Sequence, residues 1–215
     1  KIALTEIVKE FGNQSTEGNK LIAKKIIEPK QNGLRRVSVE RQSSTNIVGF
    51  GIKHAGFPQK NWYVTSLLAS ILANEPDSIL YTKLVDTGLA SKVSMSLEPT
   101  SEENIAILYV TLTPKATFEQ IEDIVLTTVW ELTQKDISLN YKKILQKTLT
   151  SEIINRESSL NIAMELTEYV SASAWEAYFD TEKILREITP KEIIDLAKTM
   201  FTLKTMTIGR FVGKK

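Results

Sequence analysis

The 215-residue sequence contains no cysteine and a single histidine, His54. Without cysteine, neither a disulfide framework nor a thiolate metal site can form. One histidine cannot supply the two or three imidazole ligands that most catalytic zinc sites use. It leaves one candidate base for a Ser-His-Asp triad, and no GxSxG nucleophile motif accompanies it. We therefore expect His54 to be structural or solvent-exposed, with an independent hydrolase built on His54 as an alternative to test.

An excess of one charge and long apolar runs are also missing. The sequence has 27 Lys and Arg residues and 26 Asp and Glu residues, a formal net charge of +1. This balance gives no electrostatic signature of nucleic-acid binding. No apolar run approaches the ~20 residues that a membrane span requires. We therefore expect neither a nucleic-acid partner nor a membrane span, and the lack of cysteine is compatible with a periplasmic or other extracytoplasmic location.

The sequence likewise lacks the common motifs for phosphate binding and acid–base chemistry. Neither GxxxxGK[ST] nor GxGxxG is present in the sequence. Gly49 and Gly51 lie inside a predicted strand rather than before a helix, and there they favour close approach of another backbone. Two pairs of neighbouring carboxylates occur, Glu102-Glu103 and Glu122-Asp123. Adjacent positions on a helix do not share a face. These pairs therefore predict a solvated turn and a helix surface rather than a catalytic carboxylate pair.

The chain begins with Lys1 rather than Met, followed by apolar residues at helical spacing up to Phe11. We expect a fragment of a longer polypeptide. Residues 1–12 are predicted to be the last helix of a preceding domain. Residues 13–33, rich in Gly, Asn, Ser, Lys and Gln, are predicted to be a linker. Residues 34–215 then form the main domain.

Alternation of polar and apolar residues predicts strands over 36–41 and 47–54, joined as a hairpin, and further strands over 93–97, 104–113 and 203–212. The 104–113 segment is apolar on both faces and predicts a central strand covered on both sides. Helical spacing predicts helices over 61–74, 78–87, 118–132, 139–171 with a break near 155–159, 175–188 and 190–200. Capping boxes at Thr117 and Thr189 mark two helix starts. The order predicts an α+β fold, a mainly antiparallel sheet with helices packed on one face.

The stretch LVDTGLAS, residues 84–91, is the most informative segment of the sequence. A helix ends at Gly88 and the chain turns directly into a strand. The first strand residues are in a position to present backbone N–H and C=O groups to a partner or a peptide. An ordinary glycine helix cap is the alternative interpretation.

Three segments in order carry a resemblance to a known family. They are the Arg35-Arg36-Val37 strand after the predicted linker, LYTKLVDTGLASKV at residues 80–93, and TIGRF at residues 207–211. Together they resemble the C-terminal, non-catalytic half of an M16 zinc metallopeptidase, the insulinase, pitrilysin and mitochondrial processing peptidase family. The version found here is most similar to bacterial zinc-protease-like members. The resemblance implies a LuxS/MPP-like half-domain over residues 34–213.

The resemblance also implies a function. In the family, two homologous halves close around an unfolded peptide, and the first half carries HxxEH and a further Glu that bind zinc. No cofactor is expected in this segment, and zinc is expected in a partner catalytic half, in cis or in trans. The peptide substrate is expected to add to a sheet edge through main-chain hydrogen bonds. A dimer is a further open alternative. A structural or assembly subunit of M16 descent without peptidase function is another open alternative.

The helix-to-strand corner departs from the family pattern. Many members have LRExxGLAY there, and its Arg and Tyr contact substrate. In this sequence Val85 stands near the Arg position and Ser91 replaces the Tyr. The expected substrate contacts are therefore Ser91 and its neighbour Lys92, with no catalytic residue and no metal ligand in the segment.

Overall fold

The computed structural model describes residues 2–13, 29 and 31–214. The chain separates into two compact units, Lys1–Lys30 and Gln31–Lys215. The first unit contains helix α1 (Ile2–Phe11), which confirms the opening helix. Its assignment to a preceding domain remains a prediction. Most of the predicted linker, residues 14–28 and 30, lies outside the described residues.

The second unit contains five strands and six α-helices among its described residues. The strands are β1 (Arg35–Gln42), β2 (Asn46–His54), β3 (Ala90–Ser96), β4 (Asn104–Leu112) and β5 (Thr207–Lys214). The helices are α2 (Lys60–Ala69), α3 (Phe118–Leu132), α4 (Ser138–Asn155), α5 (Ser159–Ser171), α6 (Thr181–Glu187) and α7 (Pro190–Met200). Two π-helical turns, Ser70–Asn74 and Tyr81–Val85, and a 3₁₀ helix, Trp175–Asp180, complete the unit. No helix in the described part of the chain is long and apolar enough to span a bilayer.

The strands form one sheet in the order β1-β5-β2-β4-β3. Three of the four neighbouring pairs are antiparallel, and β1 pairs with β5 in parallel. The fold class, a mainly antiparallel sheet with helices, is therefore confirmed. The predicted hairpin between the first two strands is wrong, because β5 lies between β1 and β2. The C-terminal strand supplies hydrogen-bonding partners to both of them, a non-local pairing that sequence proximity does not reveal.

Alternation along the strands places one set of side chains against the helices. On β2, Val48, Phe50 and Ile52 are buried. Helices α2, α3 and α7 pack on this face of the sheet. Helix α2 is buried on most of its surface, because α4, α6 and α7 pack against its other sides. The apolar core therefore lies between the helices and this face of the sheet. We call this covered side of the sheet the closed face.

Local sequence signals set the helix ends where they were predicted. The Thr117 hydroxyl accepts a hydrogen bond from the Gln120 N–H at the start of α3 (3.2 Å). At the start of α7 the capping box is complete. Thr189 Oγ1 accepts from the Glu192 N–H (3.3 Å), and the Glu192 carboxylate accepts from the Thr189 N–H (2.8 Å). These bonds occupy N–H groups that the first helical turn leaves without partners.

Candidate functional site

The second face of the sheet carries exposed apolar side chains among polar ones and is not covered by any element of residues 31–214. On β4, Ala106, Leu108 and Val110 are buried, whereas Ile105 and Tyr109 are 49% and 40% exposed. The prediction that this strand is covered on both sides is therefore wrong. A contiguous exposed apolar surface marks a site where another molecule or domain binds. We call this surface the open face.

A row of glycines crosses the open face. Gly49 on β2 lies opposite Gly209 on β5, and the row continues to Tyr109 on one side and Val37 on the other. A Cβ atom added to Gly209 would meet no atom within 4 Å, and one added to Gly49 would make only ordinary contacts, the nearest at 3.5 Å. Packing within the chain therefore does not require glycine at either position. The missing side chains leave a shallow groove that allows close approach of another backbone.

The helix-to-strand corner is closed by hydrogen bonds within the chain. Gly88 adopts a left-handed conformation (φ +75°), which a residue with a Cβ atom adopts only at a cost. The Leu89 N–H donates to the Leu84 carbonyl (2.9 Å). The Thr113 hydroxyl is placed to donate to the carbonyls of Gly88 (2.8 Å) and Leu89 (3.2 Å). The corner is thus a glycine helix cap whose carbonyls are already occupied.

Ser91 and Lys92 follow this corner, and the structure separates their positions. Ser91 lies in a β-bulge, is exposed, and its hydroxyl donates to the Thr111 carbonyl (3.4 Å). Lys92 is exposed and pairs in register with Thr111. It borders a depression on the open face together with Ile47 and Tyr109. Of the two predicted substrate contacts, Lys92 therefore lies on the open face, and substrate contact by either residue remains a prediction.

The two edge strands differ in how much main chain they leave available. On β3, the Asn74 side-chain amide donates to the Met95 carbonyl (2.8 Å) and accepts from the Met95 N–H (2.7 Å). Strand β1 has β5 on one side and no neighbouring strand on the other within residues 31–214. All eight β1 residues are exposed. The edge open to an additional strand is therefore that of β1.

His54 is buried, with 4% of its surface exposed. Its Nδ1 lies 2.8 Å from the Ala55 carbonyl, so Nδ1 carries the proton and donates it. Nε2 has no hydrogen-bond partner in the described part of the chain. A triad histidine instead bonds to a nucleophile and to a carboxylate. Of the two predicted roles, structural or solvent-exposed, the burial supports the structural one, and the geometry gives no support to a hydrolase built on His54.

The sequence patterns did not reveal that Glu122 has a structural role. It is buried on α3, and its carboxylate accepts hydrogen bonds from Arg36 (2.6 Å) and Arg210 (2.6 Å). The prediction that it lies on a helix surface is therefore wrong, whereas its neighbour Asp123 is exposed. The available signal was helical spacing, since Glu122 precedes the buried Val125 by three positions. These bonds join α3 to β1 and β5.

A zinc site of the family type does not fit these residues. Among residues 2–13, 29 and 31–214, no group of three or more His, Cys, Asp or Glu side chains is placed to hold a metal ion. The HxxEH motif needs two histidines, and the sequence has one. The family's zinc-dependent step therefore cannot be assigned to residues of this chain.

Comparison with known proteins identifies the family. Residues 2–148 match the family model described as the peptidase M16 inactive domain. This match covers more than half of the chain, which therefore belongs to the M16 inactive-domain family. No curated protein sequence matches the chain. The resemblance inferred from the three sequence segments is thus confirmed.

Solved structures share the fold. A protease from Helicobacter pylori superposes with a TM-score of 0.91 at 20% identity, covering 99% of this chain and 52% of that protein. The peptidase M16 inactive domain from Pseudomonas fluorescens gives 0.76 at 14% identity, over 89% of this chain and 46% of that one. Complex III₂ from Candida albicans contains a chain that gives 0.69 at 11% identity, over 84% and 46%. The present chain thus spans about half the length of these structures.

Proposed function

We propose that this chain is the non-catalytic half of an M16 zinc peptidase and encloses a peptide substrate against its open face. Zinc and the catalytic groups come from a partner half, in cis or in trans. Three facts support the proposal: membership of the inactive-domain family, coverage of about half of the Helicobacter pylori protease, and a single histidine in the sequence, which rules out an HxxEH motif. The observation that carries it is the uncovered apolar face with its glycine groove.

The geometry suits an extended peptide better than a folded one. Gly49 and Gly209 carry no side chain, so a peptide main chain can approach the sheet closely at these two positions. Val37 and Tyr109 flank the groove and offer apolar contacts to alternate side chains. At the sheet edge, β1 offers unpaired main-chain groups to an added strand. Recognition through the backbone and apolar contacts implies broad sequence tolerance.

Site-specific photo-crosslinking tests this proposal. A photoreactive phenylalanine replaces Tyr109 on the open face in one variant and Trp130 on α3 in the matched control. Both positions are aromatic and exposed, at 40% and 66%. Each variant is combined with the catalytic half and an extended peptide. We expect peptide adducts at position 109 only. Equal labelling at both positions, or none at 109, would overturn the proposal.

A structural or assembly role is the second candidate. The occurrence of the fold in complex III₂ from Candida albicans favours it. In this role the open face contacts a partner protein permanently and no peptide enters. The same crosslinking experiment separates the two, because an assembly subunit would label a partner chain at position 109 whether or not peptide is present.

A further inference from the structure

A pocket of about 230 Å³ lies among the helices, between α2, α4, α5 and α6. It is separate from the open face, the corner at Gly88 and the edge of β1, so the proposed substrate site does not use it. Its volume is below the roughly 300–1,000 Å³ of sites for drug-sized ligands. A ligand of this pocket is therefore a small molecule or a single side chain.

Aromatic rings form one wall of the pocket. Phe57 packs edge-to-face on Trp62, with ring centroids 4.8 Å apart, and on Tyr169 at 4.6 Å. The hydroxyls of Tyr63 and Tyr169 lie 2.9 Å apart, and Tyr169 also contacts the Thr181 hydroxyl at 2.5 Å. These hydroxyls therefore satisfy one another. What these rings can offer a ligand is their aromatic electrons, which attract a cation within about 6 Å of a ring face.

Carboxylates also line the pocket. Glu152 on α4 and Glu165 and Glu168 on α5 line the pocket, and no Lys or Arg is among its described lining residues. Glu165 accepts one hydrogen bond, from the Asn155 amide (3.1 Å). The nearby guanidinium of Arg156 instead donates to the Tyr178 carbonyl (3.0 Å) and stacks on the Tyr178 ring. The pocket thus concentrates negative charge beside aromatic rings.

Two further observations indicate that the pocket is built to receive a ligand. The indole N–H of Trp62 is buried and has no acceptor within the described residues, one of six buried side-chain atoms there without a partner and the one of them that belongs to a residue lining this pocket. Burial, followed by the charge of Glu165, raises the pKa of Glu152 above its ordinary value, and the charge of the nearby Arg156 opposes part of this rise. A cation in the pocket would relieve the repulsion between these glutamates, and an oxygen on the same ligand would accept from Trp62.

We propose that this pocket binds a small organic cation, an alkylammonium group held between Glu152, Glu165 and the aromatic rings of Phe57, Trp62 and Tyr169. The same chemistry is available from a free amino alcohol and from the lysine side chain of a peptide. In both cases the charged nitrogen contacts the carboxylates and the rings, and the acceptor for the Trp62 N–H is the hydroxyl of the amino alcohol or a main-chain carbonyl of the peptide.

Calorimetric titration of the full chain tests this site with three probes. Choline carries the cation and one oxygen. Its neutral isostere 3,3-dimethylbutan-1-ol has the same shape without the charge. N-acetyl-lysine methylamide represents a peptide side chain. We expect saturable binding of choline or of the lysine compound, and none of the neutral isostere. Choline binding indicates a free cation, and binding of the lysine compound alone indicates a peptide source. Binding of neither cation, or equal binding of the isostere, would overturn the proposal.

Two glutamate substitutions and the indole resonances of the tryptophans show whether the ligand binds in this pocket. Glu152→Gln should weaken binding about tenfold, because it removes a half-buried charge next to the cation. Glu157→Gln, on an exposed residue outside the pocket, is the matched control and should leave binding unchanged. In the unmodified protein, the Trp62 indole resonance, assigned with Trp62→Phe, should shift on titration while those of Trp130 and Trp175 do not. An unshifted Trp62 resonance would contradict the site regardless of how the variants fold.

Discussion

The Glu122 carboxylate on α3 accepts hydrogen bonds from Arg210 on β5 and Arg36 on β1, each at 2.6 Å. Arg210 also bonds to Glu119 one turn earlier (2.8 Å). The side chain of Glu122 is 7% exposed, whereas that of Glu119 is 72% exposed. One helix is thus joined to the two strands that are furthest apart in the sequence, and the buried carboxylate is the centre of that junction.

Replacing Glu122 with Ala should lower the free energy of unfolding by about 2 kcal/mol. The substitution removes the acceptor of Arg36 and one of the two acceptors of Arg210, although the partial exposure of both guanidinium groups reduces the cost. Glu119→Ala, its neighbour on the same helix, should have a much smaller effect because exposed ion pairs contribute little. Urea denaturation followed by circular dichroism measures both. Equal midpoints for the two variants would show that Glu122 is not the centre of this junction.

Gly209→Ala should leave the fold intact and raise its stability by about 0.5–1 kcal/mol, since no atom lies within 4 Å of the added Cβ and glycine is costly in a strand. Gly56→Ala should destabilise the protein, because its Cβ would lie 2.2 Å from the Ser101 carbonyl oxygen. Thermal unfolding compares the stabilities of the two variants.

If the groove binds peptide, the larger substitution Gly209→Leu should weaken peptide binding while the protein stays folded. Unchanged binding by a folded Gly209→Leu variant would exclude the groove.

Lys92→Ala should reduce kcat/KM for peptide cleavage up to about fivefold when the chain is combined with its catalytic half, which is the size of a single exposed charge contact. Ser91→Ala should have a smaller effect, because the Ser91 hydroxyl bonds to Thr111 in its bulge. Lys115→Ala, on an exposed residue of the loop after β4, serves as the lysine control. If Lys92→Ala and Lys115→Ala behave alike, Lys92 is not a substrate contact.

Glu152→Gln should stabilise the unliganded protein at neutral pH. Burial and the charge of Glu165, opposed by Arg156, raise the pKa of Glu152 in the folded state above its ordinary 4.5. The folded state therefore binds its proton more tightly than the unfolded state does. Stability due to this group is fully present below pH 4.5 and is lost as the pH rises through the elevated pKa. The Gln variant and the native protein should thus converge in stability at acidic pH and diverge at pH 7, and pH-dependent thermal unfolding measures this. Parallel curves of stability against pH for the native protein and Glu152→Gln would contradict this prediction. Glu168→Gln, on an exposed glutamate that lines the same pocket, provides the comparison.

The chain without its catalytic half should not cleave peptides. It has one histidine, and that residue is buried with its Nδ1 bonded to a carbonyl. A fluorogenic peptide assay with and without a chelator checks this. Chelator-sensitive cleavage by the purified chain would show that our assignment of the catalytic groups to a partner half is incorrect.

Local patterns in the sequence predicted much of the secondary structure. The spacing of Thr189 and Glu192 predicted the start of α7, because a capping box depends only on residues three apart. The break between α4 and α5 was predicted from the residues at 155–159. Helix 61–74 was predicted as one element, and it continues past α2 as a π-helical turn, Ser70–Asn74. The M16 resemblance was predicted from three short segments, because their order along the chain is itself distinctive.

The candidate sites were predicted less completely. Ser91 and Lys92 were predicted from the family resemblance at the corner after Gly88, and their contact with substrate stays a prediction, whereas Gly49 and Gly209 lie on two strands about 160 positions apart. The cation pocket gathers side chains from α2, α4 and α5, and no segment of the sequence contains more than part of it. Charge alone was also misleading, since Glu122 is buried because two arginines from distant strands reach it.

The sequence by itself determined which residues alternate along each strand, where most helices begin, and that the chain cannot hold zinc through HxxEH. Each of these depends on residues close together in the chain or on a count. The tertiary structure decided that β5 lies between β1 and β2, that one apolar face of β4 stays uncovered, and that Asn74 occupies the edge of β3. Strand order and surface exposure depend on which distant segments meet, and only the folded chain brings those segments together.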